Sequence, residues 1–188
     1  HCNGVPIHYA IEPEPLDTAG AIRFAAESAS ITETFLVLNG DVLTDLDIKK
    51  LLSFHKENKA EASIHLIPVE DPSRYGVVPT DQHGRVLGFI EKPTPGESPT
   101  NWINAGTYVL EPSVLKQIPL NERVSVEKET FPALAATSQL FAFKSETYWI
   151  DTGTPATYLQ AQLDLLEDGV RGSFHDGIDP TSTINGEV

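Results

Sequence analysis

The chain has 188 residues, 40% hydrophobic and 21% charged, and a formal net charge of −14 from 27 acids against 13 lysines and arginines. That length buries a substantial core in one domain, and with no basic run a nucleic-acid or anionic-membrane surface is not expected. No apolar run approaches the roughly 18 residues that span a bilayer, nothing resembles a signal peptide, and a lone cysteine, Cys2, excludes an internal disulfide and fits a reducing cytoplasm. The chain begins at His1 and contains no methionine, so we expect it to be part of a longer protein.

Residues 5–11 read as a short strand, followed by the proline-punctuated Glu12-Pro13-Glu14-Pro15. Thr18 is a plausible N-cap for a helix with Ile22, Ala25, Ala26 and Ala29 on its apolar face. Phe35-Leu36-Val37-Leu38 has no polar alternation, the pattern of a central parallel strand buried on both faces. It ends at the turn Asn39-Gly40, and Asp41 follows just beyond the strand, where ligands gather in open α/β sheets. Asp47 can cap a helix carrying Ile48, Leu51, Leu52 and, at its rim, His55.

Alternation over residues 62–69 predicts a strand. Residues 75–79 and 85–91 flank Asp81-Gln82-His83-Gly84, a hairpin pattern. Pro93 to Pro99 reads as a surface loop, and Asn104 to Leu110 as another strand. Pro112 opens a short helix through Ile118, and Ser125 can cap one that Pro132 kinks or restarts. Short strands are expected at residues 139–143 and 148–150. Thr154-Pro155 is a cap followed by an N1 proline, predicting a final helix with Leu159, Leu163 and Leu166 inward. Beyond Gly169, Ile178 and Ile184 stand at hexapeptide spacing, the pitch of a parallel β-helix rung.

Strands alternating with helices, then antiparallel strands, predict an α/β domain with a doubly wound, mixed sheet. Polar residues cluster at the strand ends: Asp41; Tyr75-Gly76-Val77-Val78; Glu91-Lys92-Pro93; Asn104-Ala105-Gly106; and Trp149-Ile150-Asp151-Thr152-Gly153-Thr154. Asp41 and Asp151, if they converge, are hard oxygen ligands suited to Mg²⁺; apart, they are ordinary turn or cap acids. Glu91 can accept from sugar hydroxyls and Lys92 can meet a phosphate, or the pair is a plain strand exit. Asn104 can serve a hydroxylated ligand or close a turn. Gly76 and Gly106 allow a ligand close to the backbone, or relieve strand crowding.

In this order the motifs resemble the sugar-1-phosphate nucleotidyltransferases, with the likeness running from about Glu12 to Leu166. Leu-Asn-Gly-Asp, Tyr-Gly-Val-Val, Glu-Lys-Pro, Asn-Ala-Gly and Ser125-x-Glu-Lys-Glu-x-Phe-Pro132 are similar to the branch that transfers guanylate to mannose-1-phosphate. The resemblance implies a Rossmann-like nucleotidyltransferase domain over residues 1–168, lacking its first strand. It also implies a linker and the start of a left-handed β-helix over residues 169–188. Asp41 and Asp151 would hold Mg²⁺, and Lys92 would bind the sugar phosphate. Gly76, Glu91, Asn104 and Gly106 would seat the hexose, and Leu16, Asp17 and Thr18 would lie along the nucleotide.

The implied substrates are a nucleoside triphosphate, GTP favoured, and a hexose-1-phosphate, with a thymidylyl or uridylyl transfer to glucose-1-phosphate as the alternative. We expect a cytoplasmic homo-oligomer with no nucleic-acid or membrane partner. Two departures stand out. Asp17 occupies a glycine position of the family segment, and the family's glycine-rich triphosphate loop is absent, so this polypeptide alone is expected to turn over little. A non-catalytic regulatory relative is the competing reading. Retention of Asp41, Asp151 and Lys92 favours the enzyme.

Overall fold

One long strand, residues 102–110, pairs along both of its edges, and this organises the sheet. The computed structural model describes residues 6–91, 93–94 and 96–166. In chain order the elements are α1 (Asp17–Ser28), β1 (Phe35–Leu38), β2 (Val42–Thr44), α2 (Ile48–Asn58), β3 (Ala62–Pro68), β4 (Gly76–Val77), β5 (Ile90–Glu91), β6 (Trp102–Leu110), α3 (Pro112–Leu115), α4 (Phe131–Ala136), β7 (Leu140–Lys144), β8 (Trp149–Asp151) and α5 (Pro155–Leu166). β6 pairs antiparallel with β3 along one edge, and with β1 and β4 along the other. β5 extends the sheet beyond β4, and β7 runs parallel to β3. β2 and β8 form a separate two-stranded ribbon.

The sheet is mixed and covered on both faces. Ile64, Leu66, Tyr108 and Leu110 pack with Ala19, Val114, Phe131 and Leu134 from the α1, α3 and α4 side. Phe131 lies edge-on to Tyr108, with ring centroids 5.0 Å apart, and stacks on Phe89 at 5.7 Å. On the opposite face Leu51 of α2 packs with Val109 and Leu36. Alternate residues of β6 thus serve different layers, as the pleat requires.

Several elements follow their local signals. Asp47 accepts from the Lys50 amide at 3.1 Å and caps α2; Thr154 Oγ1 accepts from the Thr157 amide at 3.1 Å at the start of α5. The hairpin pairs Gly76 with Glu91, and its turn closes through Gly84 N–H to the Asp81 carbonyl at 3.2 Å. Ser125 caps a wide π turn, Val126–Thr130, before Pro132 opens α4.

Others depart. Residues 6–11 form no strand, and Tyr9 and Ile11 are exposed; apolar content there finds no ladder partner among the described residues. Among the described residues β1 pairs antiparallel on one edge only, and it is half-buried. The fully buried role expected of it belongs to β3 and the second half of β6. Thr18 lies inside the first turn of α1 and does not cap it. His55 is no rim residue: it is buried, its Nδ1 2.9 Å from Ser63 Oγ and its Nε2 3.1 Å from Glu111. Leu159, Leu163 and Leu166 stand exposed, and Ala161 is the buried residue of α5. The β-helix expectation and the domain boundary at residue 168 lie outside the described residues.

Candidate active site

The turn after β1 is the starting point. Asn39 donates its backbone N–H to the Gly106 carbonyl at 2.9 Å, so the end of β1 is fastened to the Asn-Ala-Gly segment of β6. Gly106 has φ +73, and a Cβ there would lie 2.7 Å from Asn39 Nδ2. The side chain of Asn39 therefore occupies the space that only a glycine leaves open.

Two residues later Asp41 enters the β2–β8 ribbon. Val42 pairs with Asp151, and the Asp41 carbonyl accepts twice from Thr152, from its amide at 2.8 Å and its hydroxyl at 2.9 Å. Asp41 and Asp151, 110 positions apart in sequence, are thus on adjoining backbone. Asp151 Oδ1 accepts the Gly153 N–H at 2.7 Å, which ties one of its oxygens to the loop. Asp41 is exposed and Asp151 half-buried. Among the described residues no group of three or more His, Cys, Asp or Glu is arranged to hold a metal. A carboxylate is a hard oxygen ligand, and a divalent cation can take one or two of them and complete its shell with water and phosphate oxygens.

The ribbon is locked onto the sheet. Trp149 Nε1 donates to the Ala105 carbonyl at 2.9 Å, and its ring meets Tyr75 edge-on with centroids 5.9 Å apart. One indole therefore joins three of the sequence motifs. Tyr148 donates to Asp164 of α5 at 2.5 Å, which anchors the entry to β8. Val77 pairs with Ile103, bringing Gly76, and through it the backbone of Glu91, alongside β6. Lys92 lies outside the described residues.

Asn104 is already engaged by the protein. Its Oδ1 accepts the Gly106 N–H at 3.0 Å, and its Nδ2 donates to Tyr108 Oη at 2.9 Å. Burial, then the Glu127 charge, push the Tyr108 phenol well above its usual range, so it stays neutral. At the start of α1, Leu16 is buried, and Val124 both donates to its carbonyl and accepts from Ala19 and Gly20. A Cβ on Gly20 would lie 2.6 Å from the Glu122 carbonyl, so the segment packs directly on the helix. Asp17 adopts φ +61, and accepts from the Thr18 amide at 2.8 Å. Aspartate thus keeps the left-handed turn a glycine would make. Its added charge faces Arg123 at 3.7 Å.

Three residues were not singled out from the sequence. Asn39 and Thr152 clamp the acid-bearing turn, and Glu127 reaches both Thr18 (Oε2 to Oγ1, 3.2 Å) and Asn104 (Oε1 to Nδ2, 3.5 Å). Glu127 lies inside the Ser-x-Glu-Lys-Glu segment, so the motif marked its neighbourhood without distinguishing it from Lys128 or Glu129.

A mixed α/β sheet in which Trp149 ties the Asp151 ribbon to Ala105 of β6 and to Tyr75 defines a class. A family model described as nucleotidyl transferase matches residues 1–168. The chain belongs to that family, among its sugar-1-phosphate nucleotidyltransferases. It is 39% identical over 185 residues to the mannose-1-phosphate guanylyltransferase of Mycobacterium tuberculosis, covering 97% of this chain and 48% of that protein. Identity to the mannose-1-phosphate guanyltransferase of Yarrowia lipolytica is 46% over 158 residues, 83% of this chain and 43% of that one. The chain thus spans about half the length of the curated relatives it matches. Among solved structures, HddC from Yersinia pseudotuberculosis superposes with a TM-score of 0.69 at 32% identity, covering 82% of this chain and 64% of that one. A putative glucose-1-phosphate thymidylyltransferase from Bacillus anthracis reaches 0.75 at 22% identity, over 90% and 69%, and shares the fold.

Proposed function

We propose that the protein to which this chain belongs transfers a nucleotidyl group, GTP favoured, to a hexose-1-phosphate, mannose-1-phosphate favoured, giving a nucleotide sugar and pyrophosphate. The observation that carries this reading is the β2–β8 ladder, which pairs Val42 with Asp151 and brings the backbone of Asp41 against Thr152. In the proposed reaction a phosphate oxygen of the sugar phosphate bonds to the α-phosphorus in line, as the bond to the β-phosphate oxygen breaks and pyrophosphate leaves. No protein nucleophile is required; alignment and charge neutralisation do the catalysis.

Asp41 and Asp151 would hold Mg²⁺, which when bound supplies charge neutralisation at phosphate oxygens. Lys92 would add a positive charge at the sugar phosphate. Glu91 and Asn104, with the backbones of Gly76 and Gly106, would seat the hexose, while Leu16, Asp17 and Thr18 line the nucleotide. We further propose a cytoplasmic homo-oligomer. Its catalytic domain would span residues 1–168, and its β-helix would begin within residues 169–188. Among the described residues no helix is long and apolar enough to cross a membrane.

The test is pyrophosphate release by the native polypeptide from a panel of triphosphates and hexose-1-phosphates with Mg²⁺. Asp151→Asn should abolish release while its circular dichroism and melting stay like the parent's. Full activity in that variant would remove Asp151 from the metal site. No release from any pair would favour a non-catalytic relative.

A further inference from the structure

We infer that Glu127 is a positioning residue that couples the binding of the two substrates. The inference rests on the nucleotidyl-transfer reading above. Glu127 is half-buried within the π turn after Ser125, whose backbone bonds span one residue more than those of an α-helix. Its two oxygens go to opposite substrates' segments. Oε2 accepts from Thr18 Oγ1 and Ser125 Oγ, both at 3.2 Å, and Oε1 faces Asn104 Nδ2 at 3.5 Å.

Neither arm is free to turn elsewhere. Thr18 Oγ1 is held by the Val126 N–H at 2.8 Å, so its own hydrogen points to Glu127. Asn104 gives Oδ1 to the Gly106 N–H, so its Nδ2 must face Tyr108 and Glu127. Flipping that amide would put an N–H against an N–H. A sugar that draws Asn104 closer therefore pulls on the same carboxylate that orients Thr18, and a nucleotide that orders Thr18 orders Asn104 in return. Such reciprocity is what coupling between two sites means thermodynamically. Glutamine at position 127 keeps the shape but removes the charge and one acceptor, so both arms cannot be held as before.

The experiment measures KM for the triphosphate at low and at saturating hexose-1-phosphate, with the native polypeptide and Mg²⁺. The parent should show a KM that falls about tenfold as the sugar phosphate saturates, within the usual range for coupled sites. Glu127→Gln should bring that ratio to about one, while its melting temperature stays near the parent's; a structural role alone would change stability and leave the ratio intact. If Glu127→Gln does not fold, Glu127→Asp, which keeps the charge and shortens the arm, should also reduce the ratio. A parent-like ratio in a folded variant, or a parent ratio of one with turnover present, overturns the coupling alone. Absence of turnover with every substrate pair overturns the nucleotidyl-transfer reading and the coupling with it.

Discussion

Gly106→Ala tests whether the junction between β1 and β6 is built as described. The substitution meets two costs. An alanine at φ +73 sits in the left-handed region, at about 1–2 kcal/mol for an L-residue. Its Cβ would also lie 2.7 Å from Asn39 Nδ2, 2.9 Å from Cγ and 3.1 Å from Cβ, which forces that side chain aside. The backbone of Asn39 cannot withdraw without losing its 2.9 Å hydrogen bond to the Gly106 carbonyl. Displacement therefore falls on the side-chain rotamer, about 0.5–1.5 kcal/mol. Together the loss is about 2–3 kcal/mol, read as a drop of roughly 1 M in the urea midpoint at unchanged slope. Adding Asn39→Gly to Gly106→Ala should restore the steric share and leave the dihedral share, giving a coupling of about 1 kcal/mol in the double-mutant cycle. An unmoved midpoint for Gly106→Ala, or strictly additive losses in the cycle, would refute the contact.

His65 gives a pH prediction. It is fully buried on β3, with Nε2 2.7 Å from Ser145 Oγ and Nδ1 without a partner among the described residues, and burial pushes its pKa down to about 4 from 6.5. Between those values the unfolded chain binds a proton that the folded one refuses, so stability is highest above pH 6.5, falls as pH drops toward 4, and levels below. The loss is about 3 kcal/mol, and urea midpoints followed across that window should decline less steeply in His65→Leu than in the parent; parallel profiles would count against it. Asp47→Ala should cost about 1 kcal/mol through loss of the α2 cap, seen as a lower melting temperature, and Asp47→Ser should restore most of it.

How the sequence maps onto this structure depends on the range of each signal. The cap at Asp47, the proline after Thr154 and the hairpin around Asp81 to Gly84 act over a few residues, and each formed where its pattern predicted. β3 and β6 were legible because alternation and apolar runs are local properties. The motifs also marked Asp41 and Asp151 as residues at strand ends; Asn104, marked in the same way, lies inside β6.

What no local pattern carried is the partner of each element. Phe35-Leu36-Val37-Leu38 reads as central and parallel, yet its neighbour is the antiparallel β6, and one edge stays unpaired among the described residues. His55 reads as a rim residue because the sequence does not announce that Ser63 and Glu111 will meet it across the core. The leucines of α5 share a face, but only contact with another element makes a face an interior one. By itself the sequence determined which residues are apolar, which cap or break elements, and which strand ends carry acids and amides. Tertiary structure alone decided that the backbone of Asp41 meets Thr152, next to Asp151, and that Glu127 stands between Thr18 and Asn104. Those pairings come from backbone ladders and side-chain hydrogen bonds closed between remote parts of the chain, and their geometry exists only once the sheet has assembled.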